Sequence, residues 1–171
     1  MELNPLDVLV LLKIHVLDSK FWTQSSLASE LCVAQSQIHA SLKRAEAARL
    51  YSSKSKRISR QALAEFLIHG VKYAYPPVRG TITRGIVTGY AAPPLHDLIV
   101  QSDTLPPVWP HPDGTFRGYE FEPLDKRAPN AAMKDQKLYE LLTLVDAIRD
   151  GRPRETSLAT GILNERLGQK P

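Results

Sequence analysis

Two helical patterns meet between Leu27 and Tyr51 across a very short break. Leu27, Ala28 and Leu31 give the inward i, i+1, i+4 spacing of a short helix that begins near Thr23 or Gln24. Thr23 is a good N-cap for it. Ile38, Leu42 and Ala45 give the inward face of a second helix, from about Gln35 to Ala48. So short a link forces the two helices to cross closely. Ala28 must be small at that crossing, and Leu31, Ile38 and Leu42 pin it. The rest of the chain has to be arranged around this pair.

On the second helix Gln35, Ser36, His39, Lys43 and Arg44 face outward or flank the outward face. Leu50-Tyr51 then opens a short strand, residues 52–56 form a polar turn, and Arg57-Ile58 returns. This is a small β-hairpin. Ser59 can cap a fourth helix, Arg60 to His69, with Gly70 as a left-handed stop. Upstream, residues 5–17 predict a first helix, with Pro5 in its first turn and Asn4 as cap. That helix is apolar nearly all round, so later parts of the chain or a second subunit must cover it.

The net charge is +4, and its placement matters more than its size. Residues 1–72 hold ten Lys/Arg against six Asp/Glu, so the excess sits there. Within residues 36–60, Lys43, Arg44, Arg49, Lys54, Lys56, Arg57 and Arg60 face a single carboxylate, Glu46. Such a local field attracts a polyanion. One cysteine, Cys32, excludes an internal disulfide and a multi-cysteine zinc site. No apolar run is long enough to span a bilayer, and no signal-peptide pattern is present, which reads as a cytoplasmic protein.

Residues 73–128 change texture and are rich in Pro and Gly, which excludes long helices. Short strands are expected at Gly80–Val87 and Phe116–Glu122, and Pro112-Asp113-Gly114 reads as a turn in which Gly supplies φ > 0. Tyr73, Tyr75, Tyr90, Trp109 and Tyr119 give this segment something to bury, by packing it onto the N-terminal unit or by lining a ligand pocket. In residues 129–171 the helical period returns, with Leu138, Leu141, Leu142, Val145 and Ile148 in register. Gly151 and Pro153 break it, and a last helix runs from about Arg154 to Leu167. This Leu-rich pair reads as core or as dimer interface.

The stretch from Leu27 resembles the core of winged helix-turn-helix regulators of the MarR and GntR-like kind. Leu27-Ala28, Leu31, Val33, Ile38, Leu42 and Leu50 sit at the matching positions, over roughly the first 70 residues. Three positions depart from the pattern. Cys32 and Arg49 stand where Gly is usual, and Ala34 stands where a Ser cap is usual. The resemblance implies a winged helix-turn-helix over residues 1–72; with the Pro/Gly-rich β-containing middle over 73–128 and the C-terminal helical hairpin over 129–171, both read from their own residues, the expected fold is α+β. The resemblance implies double-stranded DNA as partner. Gln35, Ser36, Gln37 and His39 would read bases in the major groove. Lys43, Arg44, Lys54, Lys56 and Arg57 would meet the backbone.

The expected function is a bacterial-type transcriptional regulator, a repressor by occupancy, acting as a homodimer. An effector or protein partner could act at the middle segment. The alternative is an interaction module, antitoxin-like or an adaptor, whose winged helix docks a protein without DNA. No catalytic, cofactor or metal constellation is expected, since His15, His39, His69, His96 and His111 are scattered without ligand spacing. Arg79 to Gly85, with arginines beside glycines, could bind a phosphate or carboxylate, but a twisted hairpin with solvated arginines explains it equally.

Overall fold

A computed structural model describes residues 1–168. The architecture is α+β. Three N-terminal helices and a small hairpin come first, a mixed three-strand sheet follows, and a helical pair closes the chain.

Helix α1 (Pro5–Leu17) starts where Asn4 and Asp7 cap each other: the Asn4 amide donates to Asp7 Oδ2 at 2.9 Å. Residues 6–14 of α1 are all buried. The covering is intramolecular, by α2 (Gln24–Leu31), α3 (Gln35–Ala47) and, from the far end of the chain, α7 (Gln136–Asp150). Fully burying one Leu, Val or Ile side chain stabilises by about 1.5–3 kcal/mol. A helix with seven such residues therefore needs no second subunit to explain its composition.

Helices α2 and α3 form as their spacing predicts. The Thr23 hydroxyl accepts from the Ser26 amide at 3.0 Å and caps α2. Cys32 ends α2 in the left-handed region, φ 55° and ψ 46°. Arg49, before the hairpin, also has positive φ, 63°. Two residues where glycine would be unstrained thus adopt the glycine conformation at a cost of order 1 kcal/mol each. The hairpin pairs β1 (Tyr51–Ser52) antiparallel with β2 (Arg57–Ile58).

The fourth helix corrects the expected stop at Gly70. Helix α4 (Arg60–Glu65) runs through a π-turn, Phe66–Gly70, into α5 (Val71–Ala74). Gly70 has φ −110°, not a left-handed value. Its missing side chain matters for space: a Cβ there would stand 2.9 Å from the Phe66 ring. Pro76 and Pro77 follow directly and prevent further helix.

In the middle segment β3 (Arg79–Val87) is one continuous strand, not a twisted hairpin. It pairs antiparallel with both β4 (Pro107–Pro110) and β5 (Phe116–Phe121), and β4 meets β5 in parallel. Gly85 is required by this close approach, because a Cβ would fall 1.9 Å from the Trp109 carbonyl oxygen. Gly114 serves the same purpose against Gly85. It closes a turn by donating to the His111 carbonyl at 3.1 Å, but it is not among the positive-φ glycines, which corrects the expected role.

Helix α6 (Ala128–Met133) packs on α2 and α7, and α8 (Pro153–Arg166) packs on α7. Asp135 caps α7 through the Leu138 amide, and Gly151 stops it with φ 77°. One hydrophobic core runs from Leu6 to Leu167, so all three sequence segments contribute to it. No helix among the described residues is long and apolar enough to cross a membrane.

Candidate nucleic-acid interface

Helix α3 buries Ile38, Ser41, Leu42 and Ala45 and leaves Gln35, Ser36, Gln37, His39 and Lys43 exposed. The face opposite the buried one carries Ser36 and Lys43. To one side, Gln35, His39 and Lys43 line a cleft of about 540 Å³ shared with the start of α2 and the hairpin. Its other walls are Trp22, Thr23, Tyr51, Ser53 and Lys56. To the other side, Gln37, Ala40 and Arg44 line a smaller hollow that reaches Asp125 and Arg127.

The hairpin is tied to α3 by the one carboxylate of the region. Glu46 Oε1 accepts from the Ser53 amide at 2.9 Å and the Ser53 hydroxyl at 2.6 Å. Those bonds hold the Glu46 carboxyl below its ordinary pKa, so it is charged at neutral pH. Lys54, Lys56 and Arg57 project from the hairpin, exposed. Together with Lys43 and Arg49 they make no ion pair among the described residues.

Arg44 behaves differently from the expected backbone contact. Its Nε and Nη2 donate to the two oxygens of fully buried Asp7, at 2.9 and 2.8 Å. The hydrogen bonds to Asp7 raise the Arg44 pKa and fix the guanidinium against α1. Arg60 likewise pairs with Asp18 at 3.0 Å. Of the seven cations in this stretch, the other five keep an uncompensated charge among the described residues. Gln37 is engaged as well. Its Oε1 accepts from the Ala34 amide at 3.2 Å. This is the returning half of a capping box, made although Ala34 has no side-chain oxygen for the other half, so the Gln37 amide is partly committed.

Sequence reasoning missed the polar groups that hold the fold. Lys13 on α1 reaches Glu30 of α2 at 2.6 Å and Asp135 at the cap of α7 at 2.7 Å. Burial would lower the Lys13 pKa, but the two carboxylates outweigh it and raise it. Asp146, wholly buried on α7, accepts from Thr88 Oγ1 at 2.6 Å, Trp109 Nε1 at 2.7 Å and Arg149 at 2.7 Å. Burial pushes its carboxyl above the ordinary range, against the pull of Arg149 and the two neutral donors. Arg149 also donates to the Tyr75 and Glu122 carbonyls at 2.9 and 3.2 Å. The one signal for these groups was spacing: Leu142, Asp146 and Arg149 continue the 4-3 interval of the apolar stripe.

The aromatic residues divide. Trp109 is buried and meets the Tyr139 ring edge-on at 5.8 Å, so it fastens the sheet to α7 rather than to the N-terminal unit. Tyr73 and Tyr119 remain exposed. Arg79 pairs with Asp150, in a pocket that holds no histidine, while Arg84 lies opposite Arg117 across the strands. The His111 ring is engaged by Asn130 at 2.7 Å, and the His15 ring meets the Arg166 carbonyl at 2.9 Å. No family model matches the chain, and neither a curated protein nor a solved structure matches it.

Proposed function

We propose that this chain is a DNA-binding regulator of the winged helix-turn-helix kind, which recognises duplex DNA by sequence and acts by occupying it. The supporting observation is the exposed polar face of α3, flanked by three unpaired hairpin cations. Helix α3 enters the major groove, which is about 12 Å wide and admits a helix of about 10–12 Å diameter. Gln35, Ser36 and His39 reach base edges. Lys43 and the wing cations Lys54, Lys56 and Arg57 meet phosphates. No chemistry on DNA is involved. Both reasons for a homodimer lose their force, because α1 and the leucine stripe of α7 are covered within the chain.

A second reading has one observation in its favour. Phe21 is 89% exposed and directly precedes Trp22, which lines the cleft with Tyr51, and an exposed aromatic is what a protein-docking module would require. A salt titration of binding to random duplex and to duplex from upstream of the protein's own coding region separates the two. The proposal expects affinity to fall steeply with salt, by about 0.9 in slope per phosphate contact. Lys54→Ala with Lys56→Ala should weaken binding to all duplexes alike and lower the slope by about 1.8. Absent or salt-insensitive binding would favour the docking module.

A further inference from the structure

We infer that α3 has a second cationic bank, built by Lys126 and Lys134 from outside the N-terminal unit, which holds the DNA strand opposite the one held by the hairpin. The inference rests on the DNA-binding reading above. A helix lying in the major groove has a phosphate backbone on each side of it. The hairpin flanks only one side of α3, the side of Gln35 and His39. The other side, at Gln37, Ala40 and Arg44, is walled by Asp125 and Arg127, with Lys126 exposed between them.

Lys134 follows α6, and its Nζ lies 3.7 Å from Cys32 Sγ, at the turn between α2 and α3. Its ammonium is exposed beside the start of α3. Three carboxylates on this stretch of surface, Asp125, Glu30 and Asp135, are already engaged. Asp125 holds Arg127 at 3.2 Å and its backbone amide at 2.9 Å. Glu30 and Asp135 both hold Lys13. Lys126 and Lys134 make no ion pair among the described residues, so both charges are free to meet phosphates. Ammonium groups on either side of a helix in the groove suit duplex phosphates: they set its depth and orientation and carry no base preference.

The experiment compares Lys126→Ala/Lys134→Ala with Lys54→Ala/Lys56→Ala in the full chain. Salt-titrated fluorescence anisotropy on duplex and strand-specific hydroxyl-radical protection are both measured. Arg154→Ala, which removes one charge from α8, is the control for net charge. Each double variant is expected to lower the slope of log affinity on log salt by about 1.8. The hairpin pair should lose protection on one strand and the Lys126/Lys134 pair on the other, with Arg154→Ala unchanged. If the hairpin pair loses slope and protection while Lys126→Ala/Lys134→Ala keeps both, the second bank is wrong and the DNA-binding reading stands. If the wild type shows no salt-dependent binding, the reading itself fails, and this inference with it.

Discussion

Helices α3 and α7 are amphipathic rods of 13 and 15 residues, and each buries one face in the common core. Helix α7 takes three of its polar side chains, Thr143, Asp146 and Arg149, inward. Asp146 and Arg149 are only 1% and 5% exposed, and each is bonded to several partners there. Helix α3 does the reverse along most of its length. Gln35, Ser36, His39 and Lys43 stand in solvent without side-chain partners among the described residues. Burial makes an unpaired charge costly, so interior charges are bonded and structural. An exposed cation costs nothing to leave free, so a cluster of free ones on a single face is open to a ligand. Arg44 shows that the rule applies within one helix, since it sits next to Lys43 yet is claimed by Asp7.

The contrast is disturbed most severely at α7. Arg149→Met leaves the Asp146 carboxylate buried without its cation and should cost about 3–5 kcal/mol in urea unfolding. Adding Asp146→Leu should recover only part of this loss, because Thr88 and Trp109 then lack an acceptor. Duplex affinity per folded molecule should stay at the wild-type value in both. A loss under about 1 kcal/mol for Arg149→Met would mean that the network does not hold the sheet to the helix.

The neighbouring pair on α3 gives the next largest effect. Arg44→Ala strips the partner from fully buried Asp7 and should cost about 3 kcal/mol. Lys43→Ala should change stability by less than about 0.5 kcal/mol. The order inverts for DNA: Lys43→Ala lowers the salt slope by about 0.9, and Arg44→Ala leaves it unchanged under conditions where the variant is folded. Urea melts and salt-titrated binding on the same two proteins check both halves. An Arg44→Ala protein that is stable but binds weakly would return Arg44 to the interface.

These cases explain why the sequence told more about elements than about roles. The helices were legible because caps and periodicity act within a few residues: Thr23, Asp135 and Gly151 each end or begin a helix as their chemistry requires. The left-handed turn at Cys32 was legible only through the resemblance, in which Gly is usual at that position. Pairings across the chain were not. Asp7 and Arg44 lie 37 residues apart, and Lys13 and Asp135 lie 122 apart, so no local pattern joins them. Gly70 misled because a glycine after a helical run has two uses, a left-handed stop or room for a ring, and the Phe66 side chain decided between them. The outward face of α3 was read correctly in exposure, but Gln37 and Arg44 had partners that only the folded chain supplies.

The smallest expected effect lies within the α3 glutamines, and it separates a free side chain from a committed one. Gln37 completes the helix start through the Ala34 amide and turns toward the Asp125–Arg127 side. Gln35 has no such bond and lines the hairpin cleft. Gln37→Ala should therefore cost about 0.5 kcal/mol of stability, the net worth of one exposed hydrogen bond. Gln35→Ala should cost nothing measurable in stability. Against a panel of duplexes differing at one base pair, Gln35→Ala should flatten a preference for adenine, where a bidentate amide contact discriminates by about 1–3 kcal/mol. Gln37→Ala should leave that preference nearly intact. The opposite pattern would mean that the capping bond yields when DNA arrives. The register of α3 in the groove would then be rotated toward Ala40 and the Lys126 side, away from His39 and the hairpin.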